Sequence, residues 1–282
     1  MDLNEIRRTS IIALFSDDNL FERIVLKGGN AMTLVYGFGN RASLDLDFSI
    51  DGDFPDVKDA ENRIFKALRE RFAVAGYRLF DEKFEPKPMV INTEKGDRWG
   101  GYVVEFKLIE NTLYESLGGQ LEAVRRQSLV TGTLQKKIFR IEMSKFEFCG
   151  ERKEVDLDDY TIRVYTPEML AVEKLRALCQ QLPNYPGRTH KTARARDFYD
   201  IYTLVTEAGV AISANTMPLM KEVFAAKEVP IILLADLPSS KEFHSVDWPA
   251  VQSAVSGPLK DFDFYFDFVI ERTASLEVFW KE

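Results

Sequence analysis

Ser43-Leu44-Asp45-Leu46-Asp47-Phe48-Ser49-Ile50 alternates without a fault: Leu44, Leu46, Phe48 and Ile50 fall on one side, Ser43, Asp45, Asp47 and Ser49 on the other. A period of two is that of a strand with one buried and one polar face. Residues two apart in a strand point the same way, about 7 Å apart along the chain. Asp45 and Asp47 are therefore expected to project together. Two carboxylates from neighbouring same-face positions can share divalent cations, and Mg2+ takes one or two carboxylates together with substrate phosphates. The competing reading is a solvated sheet face, where acids are common.

Upstream, Ile24–Lys27 reads as a short strand ended by Gly28-Gly29. A helix follows, with Ala31, Leu34, Val35 and Phe38 on one stripe and Gly37 and Gly39 closing it. Exposed amides and the positive end of that helix suit a phosphate. Gly28 and Gly29 would let backbone approach closely, and Asn30 adds a side-chain amide. Alone, a Gly-Gly pair is a tight turn; its position just before the aspartate strand is what points to a site.

Downstream, residues 57–75 form an amphipathic helix with Ile64, Leu68 and Phe72 inward, and strands near 77–84, 102–109 and 137–143 complete a sheet. Residues 113–131 fit no single period. Thr166-Pro167-Glu168 is a helix start, with a hydroxyl cap, proline at the first helical position and an acid in the first turn. From there the chain reads mainly as helices, so a boundary is expected near residue 165. The expected fold is α/β (α+β): a mixed sheet with flanking helices in a 1–165 domain, then a helical 166–282 domain.

Composition narrows the chemistry. The 282 residues are 45% hydrophobic and 29% charged, an ordinary globular balance, and no apolar run is long enough for a membrane span. Met1 to Arg8 lacks the layout of a secretory signal. Two cysteines exclude a disulfide framework and fit a reducing, cytoplasmic setting. A net charge of −8 argues against coating nucleic acid with the whole surface. Only His190 and His244 occur, which disfavours a multi-histidine zinc site. Chemistry must rest on carboxylates, lysines and arginines.

In the second half, Ala171, Leu175, Leu178 and Leu182 form a core stripe. Lys174 borders it, either snorkelling to solvent or reaching a cleft where it would face phosphate oxygens. The next helix is expected to bury Phe198, Ile201, Tyr202 and Val205, leaving Asp197 and Asp200 on another side. Asp197 near the helix start either caps amides or acts as a base or an orienting partner; Asp200 reads as structural. Glu142 is either a third carboxylate beside Asp45 and Asp47 or half of a cross-strand ion pair. Arg188, His190, Lys191, Arg194 and Arg196 form one basic cluster, and Arg125, Arg126, Lys136, Lys137 and Arg140 a second. Both fit phosphate-backbone contacts or a solvated surface.

Lys27-Gly28-Gly29-Asn30-Ala31-Met32 followed by Arg41-Ala42-Ser43-Leu44-Asp45-Leu46-Asp47-Phe48 resembles the first motif of the AbiEii/AbiGii toxin family, in the polymerase-β-like nucleotidyltransferase superfamily. Arg140-Ile141-Glu142-Met143-Ser144, Glu173-Lys174-Leu175-Arg176-Ala177-Leu178 and Arg196-Asp197-Phe198-Tyr199-Asp200-Ile201-Tyr202 resemble its later motifs, in the expected order.

The resemblance implies a nucleotidyltransferase-like fold, Mg2+ or Mn2+ as cofactor, an NTP substrate and an active-site cleft completed by the helical domain. It implies a toxin of a bacterial toxin–antitoxin or phage-defence system, with RNA, notably a tRNA 3′ end, as acceptor and a separately encoded antitoxin as partner. Gly28, Gly29, Asn30, Arg41, Ser43 and Arg196 would bind nucleotide, Asp45 and Asp47 metal, with Glu142 as a further candidate ligand, and Lys174 and Asp197 would be later catalytic positions. Two departures are visible. Asn30 stands where many members carry threonine or serine, and Thr192 where they carry arginine, after a lengthened loop at 181–190. A small-molecule or protein hydroxyl as acceptor, and a non-catalytic binding module on the same fold, are the alternatives.

Overall fold

The computed structural model describes residues 1–41, 43, 45–88, 99–130 and 136–279. In chain order its helices and strands are α1 (Leu3–Phe15), α2 (Asp18–Phe21), β1 (Ile24–Lys27), α3 (Gly28–Asn30), β2 (Leu46–Ile50), α4 (Val57–Val74), β3 (Tyr77–Lys87), β4 (Gly101–Glu110), α5 (Asn111–Ser116), α6 (Leu121–Gln127), β5 (Phe139–Ser144), β6 (Arg152–Leu157) and β7 (Tyr160–Tyr165). The remainder is helical: α7 (Pro167–Cys179), α8 (Ala195–Glu207), α9 (Met217–Ala225), α10 (Lys241–Ser245), α11 (Trp248–Ala254) and α12 (Phe262–Ala274). The residues group into two compact units, neither contiguous in sequence. One comprises Met1–Leu26, Asp45–Lys145 and Glu154–Val164; the other comprises Lys27–Leu44, Phe146–Lys153 and Tyr165–Glu282.

The first unit is built on a mixed seven-stranded sheet in the order β3-β4-β5-β2-β1-β7-β6. β2 runs parallel to β5 and β1 parallel to β7, whereas β4 is antiparallel to both β3 and β5. Asp56 caps α4 by accepting from the amides of Lys58 and Asp59. Its expected inner face, Ile64, Leu68 and Phe72, is fully buried, and Phe72 meets Phe106 of β4 at 5.7 Å between ring centres. Each such side chain contributes about 1.5–3 kcal/mol, which explains why this stretch was readable from its period.

Two expectations need correction here, and one hairpin lies outside them. The alternating strand was expected from Ser43, but pairing starts at Leu46, and Ser43 and Asp45 precede the ladder. The stripe expected after Gly29 is replaced by a π-helical turn, Ala31–Val35. A π turn takes more residues per revolution than an α turn, so Ala31 and Met32 are buried while Leu34 and Val35 are only half-buried. The β6–β7 hairpin was missed. Its turn residues Asp158 and Asp159 both have positive φ, 49° and 67°, as a type I′ turn requires, but Asp-Asp lacks the glycine that usually announces one.

In the second unit, Thr166 Oγ1 accepts from the Met169 amide at 3.2 Å and caps α7, as expected. Ala171, Leu175, Leu178 and Leu182 are buried. The aromatic run near the C-terminal end is a helix. Phe262, Tyr265, Phe266, Val269 and Thr273 are its buried residues, the spacing of one helical stripe. Phe198 of α8 packs against Phe262 and Phe266 with ring centres 5.5 and 5.0 Å apart. This packing decides the face of α8. Phe198, Ile201 and Leu204 are buried, Tyr202 and Val205 are only half-buried, and Asp197 and Asp200 lie on the buried side, contrary to expectation. Cys149 and Cys179 are both buried. Among the described residues no helix is long and apolar enough to cross a membrane.

Candidate functional site

The second unit gathers most of the sequence-flagged residues. Lys27 is extended (φ −138°) and Gly28 is left-handed (φ 75°), a conformation that glycine adopts without strain. Gly29 is required for a different reason, close approach. A Cβ on it would lie 2.9 Å from Ser43 Cβ and 3.0 Å from both Ser43 Oγ and Arg41 Nη2. The hydroxyl of Ser43 and the guanidinium of Arg41 therefore sit directly over the glycine turn. Asn30, the third member of the turn, is buried.

Arg41 leads from this turn into a buried polar chain. Its Nε and Nη2 donate to the two oxygens of Asp200 at 2.9 and 2.8 Å. Lys174 Nζ donates to Asp200 Oδ2 at 2.6 Å and lies 3.5 Å from Asp197 Oδ1. The other oxygen of Asp197 accepts from Arg194 Nε. Lys174 is 4% exposed, Asp197 1% and Asp200 2%. Burial alone would raise the Asp200 carboxyl, but Arg41 and Lys174 outweigh it and hold the group below its ordinary range. Asp197 follows the same logic, with burial opposed by Arg194, Lys174 and Arg196. Both are anions at neutral pH with their oxygens committed to cations. That is the chemistry of carboxylates that orient basic side chains.

Asp200, read from sequence as structural, is thus the residue that brings Arg41 and Lys174 together. The usable signal was its spacing of three from Asp197 on a face shared with Leu204. Arg194, rather than Arg196, is the arginine hydrogen-bonded to Asp197; Arg196 is exposed. In the same basic cluster, Lys191 Nζ donates to the carbonyls of Tyr185 (2.7 Å) and Gln180 (3.3 Å). The second cluster is largely engaged in the first unit: Arg125 grips Asp81, Lys137 binds the carbonyls of Arg125 and Arg126, and Arg140 pairs with Glu142 at 3.0 Å.

The acidic candidates lie in the first unit. Asp47 on β2 is in register with Glu142 on β5. In parallel strands about 4.8 Å apart, registered residues share a face, so these two carboxylates are neighbours. Asp45, half-buried, immediately precedes β2. Glu142 is held by Lys87 Nζ at 2.6 Å and by Arg140, which makes it an ion-paired residue as well as a neighbour of Asp47. Among the described residues no group of three or more acids, histidines or cysteines converges as a metal cage. An oxygen-only set of one or two carboxylates, completed by phosphate and water, is nonetheless what a hard cation such as Mg2+ accepts. The residues present fit such an ion.

Residues 11–268 match the family described as nucleotidyl transferase AbiEii toxin, type IV toxin–antitoxin system. The chain belongs to the AbiEii nucleotidyl transferase toxin family. No curated protein sequence matches it. Among solved structures, this AbiEii family member is similar to the nucleotidyltransferase toxin MenT4 of Mycobacterium tuberculosis, with TM-score 0.53 and 16% identity, covering 98% of this chain and 83% of that one. It is also similar to JHP933 of Helicobacter pylori, with TM-score 0.51 and 17% identity, covering 99% and 92%. At such identities the likeness is one of fold, and it agrees with the nucleotidyltransferase-like architecture expected from the motifs.

Proposed function

We propose that this AbiEii family member transfers a nucleoside monophosphate from an NTP to the 3′ end of an RNA, tRNA being the favoured acceptor, and acts as a toxin restrained by a separately encoded antitoxin in the bacterial cytoplasm. The observation that carries the nucleotide half of this reading is the glycine turn under Ser43 and Arg41, joined through Asp200 to Lys174. The backbone amides of Gly28 and Gly29 and the Ser43 hydroxyl are the donors a triphosphate needs. Arg41 and Lys174 are cations already fixed in place, so little reorganisation opposes their use when charge develops on the transferred phosphoryl group.

The reaction forms a bond from the acceptor hydroxyl oxygen to the α-phosphorus and breaks the bond to the β-phosphate oxygen. Pyrophosphate leaves with the electron pair, and the hydroxyl proton passes to solvent. Asp45 and Asp47, with Glu142 beside Asp47, would hold Mg2+ or Mn2+, which when bound neutralises phosphate charge. Asp197 orients Lys174 in this scheme. Its buried, doubly held carboxylate is poorly placed to serve as the base. RNA as acceptor is supported by the family and by the exposed Arg196 and His190 near the start of α8.

The test is incubation of the folded protein with Mg2+ or Mn2+, each labelled NTP and total tRNA. Label is expected in the RNA from at least one NTP and is expected to fall by about a hundredfold in Asp45→Asn. Label in a small-molecule or protein fraction would replace RNA as acceptor. No transfer anywhere would favour a binding module.

A further inference from the structure

The mechanism above leaves unused a buried five-charge cluster in the second unit. Glu147, in the segment following β5, is 6% exposed and is surrounded by three cations. Its Oε2 lies 3.0 Å from Arg176 Nη2, and its Oε1 lies 3.4 Å from Lys27 Nζ and 3.6 Å from Lys227 Nζ. Glu173 shares two of these cations, lying 3.3 Å from both Lys27 and Arg176. Burial would raise the Glu147 carboxyl, but Arg176, Lys27 and Lys227 pull it down to about 2. Burial lowers the Lys227 ammonium to about 8 despite Glu147.

Replacing buried ion pairs by apolar groups of similar shape often leaves stability unchanged or improves it. Stability alone is therefore a weak reason for five charges here, and their connections in the chain are more informative. Lys27 is the residue before Gly28, where the backbone turns left-handed. Glu173 is the residue before Lys174. The cluster thus grips both the entry to the glycine turn and the α7 residue next to the lysine that Asp200 holds.

We infer that Glu147 is a positioning residue for nucleotide binding: through Lys27 it fixes the direction from which the Gly28-Gly29 amides are presented, and through the shared cations it locks that turn to the Lys174 segment of α7. Glu147 touches no substrate in this account. The inference rests on the reading of the glycine turn as the triphosphate cradle.

The test compares wild type, Glu147→Gln and the charge-balanced Glu147→Gln/Lys227→Met, each first shown to be folded by near-ultraviolet circular dichroism. Hydrogen exchange at the Gly28 and Gly29 amides, Mg-NTP dissociation constants and the split between KM and kcat are then measured. The expected result is at least tenfold faster exchange confined to the glycine turn, at least tenfold weaker NTP binding with KM raised in step, and kcat within about threefold of wild type. The double variant removes one charge of each sign, so it remains informative if Glu147→Gln does not fold. Wild-type affinity and wild-type glycine exchange in a folded variant would overturn the inference while leaving the nucleotidyl transfer reading intact. A wild-type protein that binds no NTP would overturn that reading and the inference with it.

Discussion

Asp200 on α8 accepts a 2.6 Å hydrogen bond from Lys174 on α7 and a bidentate pair from Nε and Nη2 of Arg41. A single buried carboxylate therefore neutralises two cations from different parts of the sequence. Breaking a buried pair by removing one partner costs about 3–5 kcal/mol, because the surviving charges are left uncompensated. Asp200→Asn is expected to destabilise by that amount in urea unfolding. Adding Lys174→Met to it should recover part of the loss, so that the double-mutant cycle gives a coupling of about 1–3 kcal/mol. Strict additivity would show that the contact carries no energy.

Gly29→Ala is a steric test. The added methyl group meets Ser43 Cβ at 2.9 Å, and an overpacked site of this kind costs about 1–3 kcal/mol. Pairing it with Ser43→Gly opens the space. Thermal melts should show the double variant regaining stability, while nucleotide affinity stays low because the hydroxyl is gone. Full recovery of affinity would remove Ser43 from the cradle.

His244 sets a pH dependence. It is fully buried, accepts the Arg194 amide at Nδ1 (3.0 Å), and burial holds it down at about 4, with Asp197 and Arg194 pulling in opposite directions. The folded state thus keeps His244 neutral over a range in which the unfolded chain takes up a proton. The stability it contributes is complete above pH 6.5 and is lost as pH falls towards about 4. At about 1.4 kcal/mol per pH unit, the loss is about 3 kcal/mol. Urea midpoints measured from pH 7 to 4 should fall less in His244→Gln than in wild type.

Asp159 occupies a left-handed position, φ 67°, in the β6–β7 turn. Asp159→Gly relieves that conformation and should raise stability by about 0.5–1 kcal/mol. A lowered melting temperature would show that the aspartate has a role in the turn beyond its backbone.

What was legible in the sequence was whatever a single period or a single cap determines. Helix α4 follows from Ile64, Leu68 and Phe72, and the start of α7 from Thr166 and Pro167; both were placed to within a residue. The left-handed turn at Gly28 and the strand that carries Asp47 were also visible, since φ preference and alternation are local properties, whereas Asp45 falls before that strand. The polar chain behind the turn was not. Asp200 and Glu147 take their character from residues distant in sequence, Arg41 and Lys27, and no local pattern encodes an ion pair across more than a hundred residues. The face of α8 was misjudged for a related reason. Phe198 and Tyr202 both pack on α12 aromatics, yet only Phe198 is fully buried, and both aspartates lie on the buried side with Leu204.

The two compact units are stitched from alternating lengths of chain, and this governs how the molecule can be dissected. A fragment ending at residue 165 would carry segments 27–44 and 146–153 without the helices that share their unit, and the complementary fragment would begin bereft of Arg41, Lys27 and Glu147. Truncation would thus expose buried ions in both pieces and produce insoluble or inert protein whatever the true division of labour. Dissection of this toxin family member belongs to point substitution in the intact polypeptide.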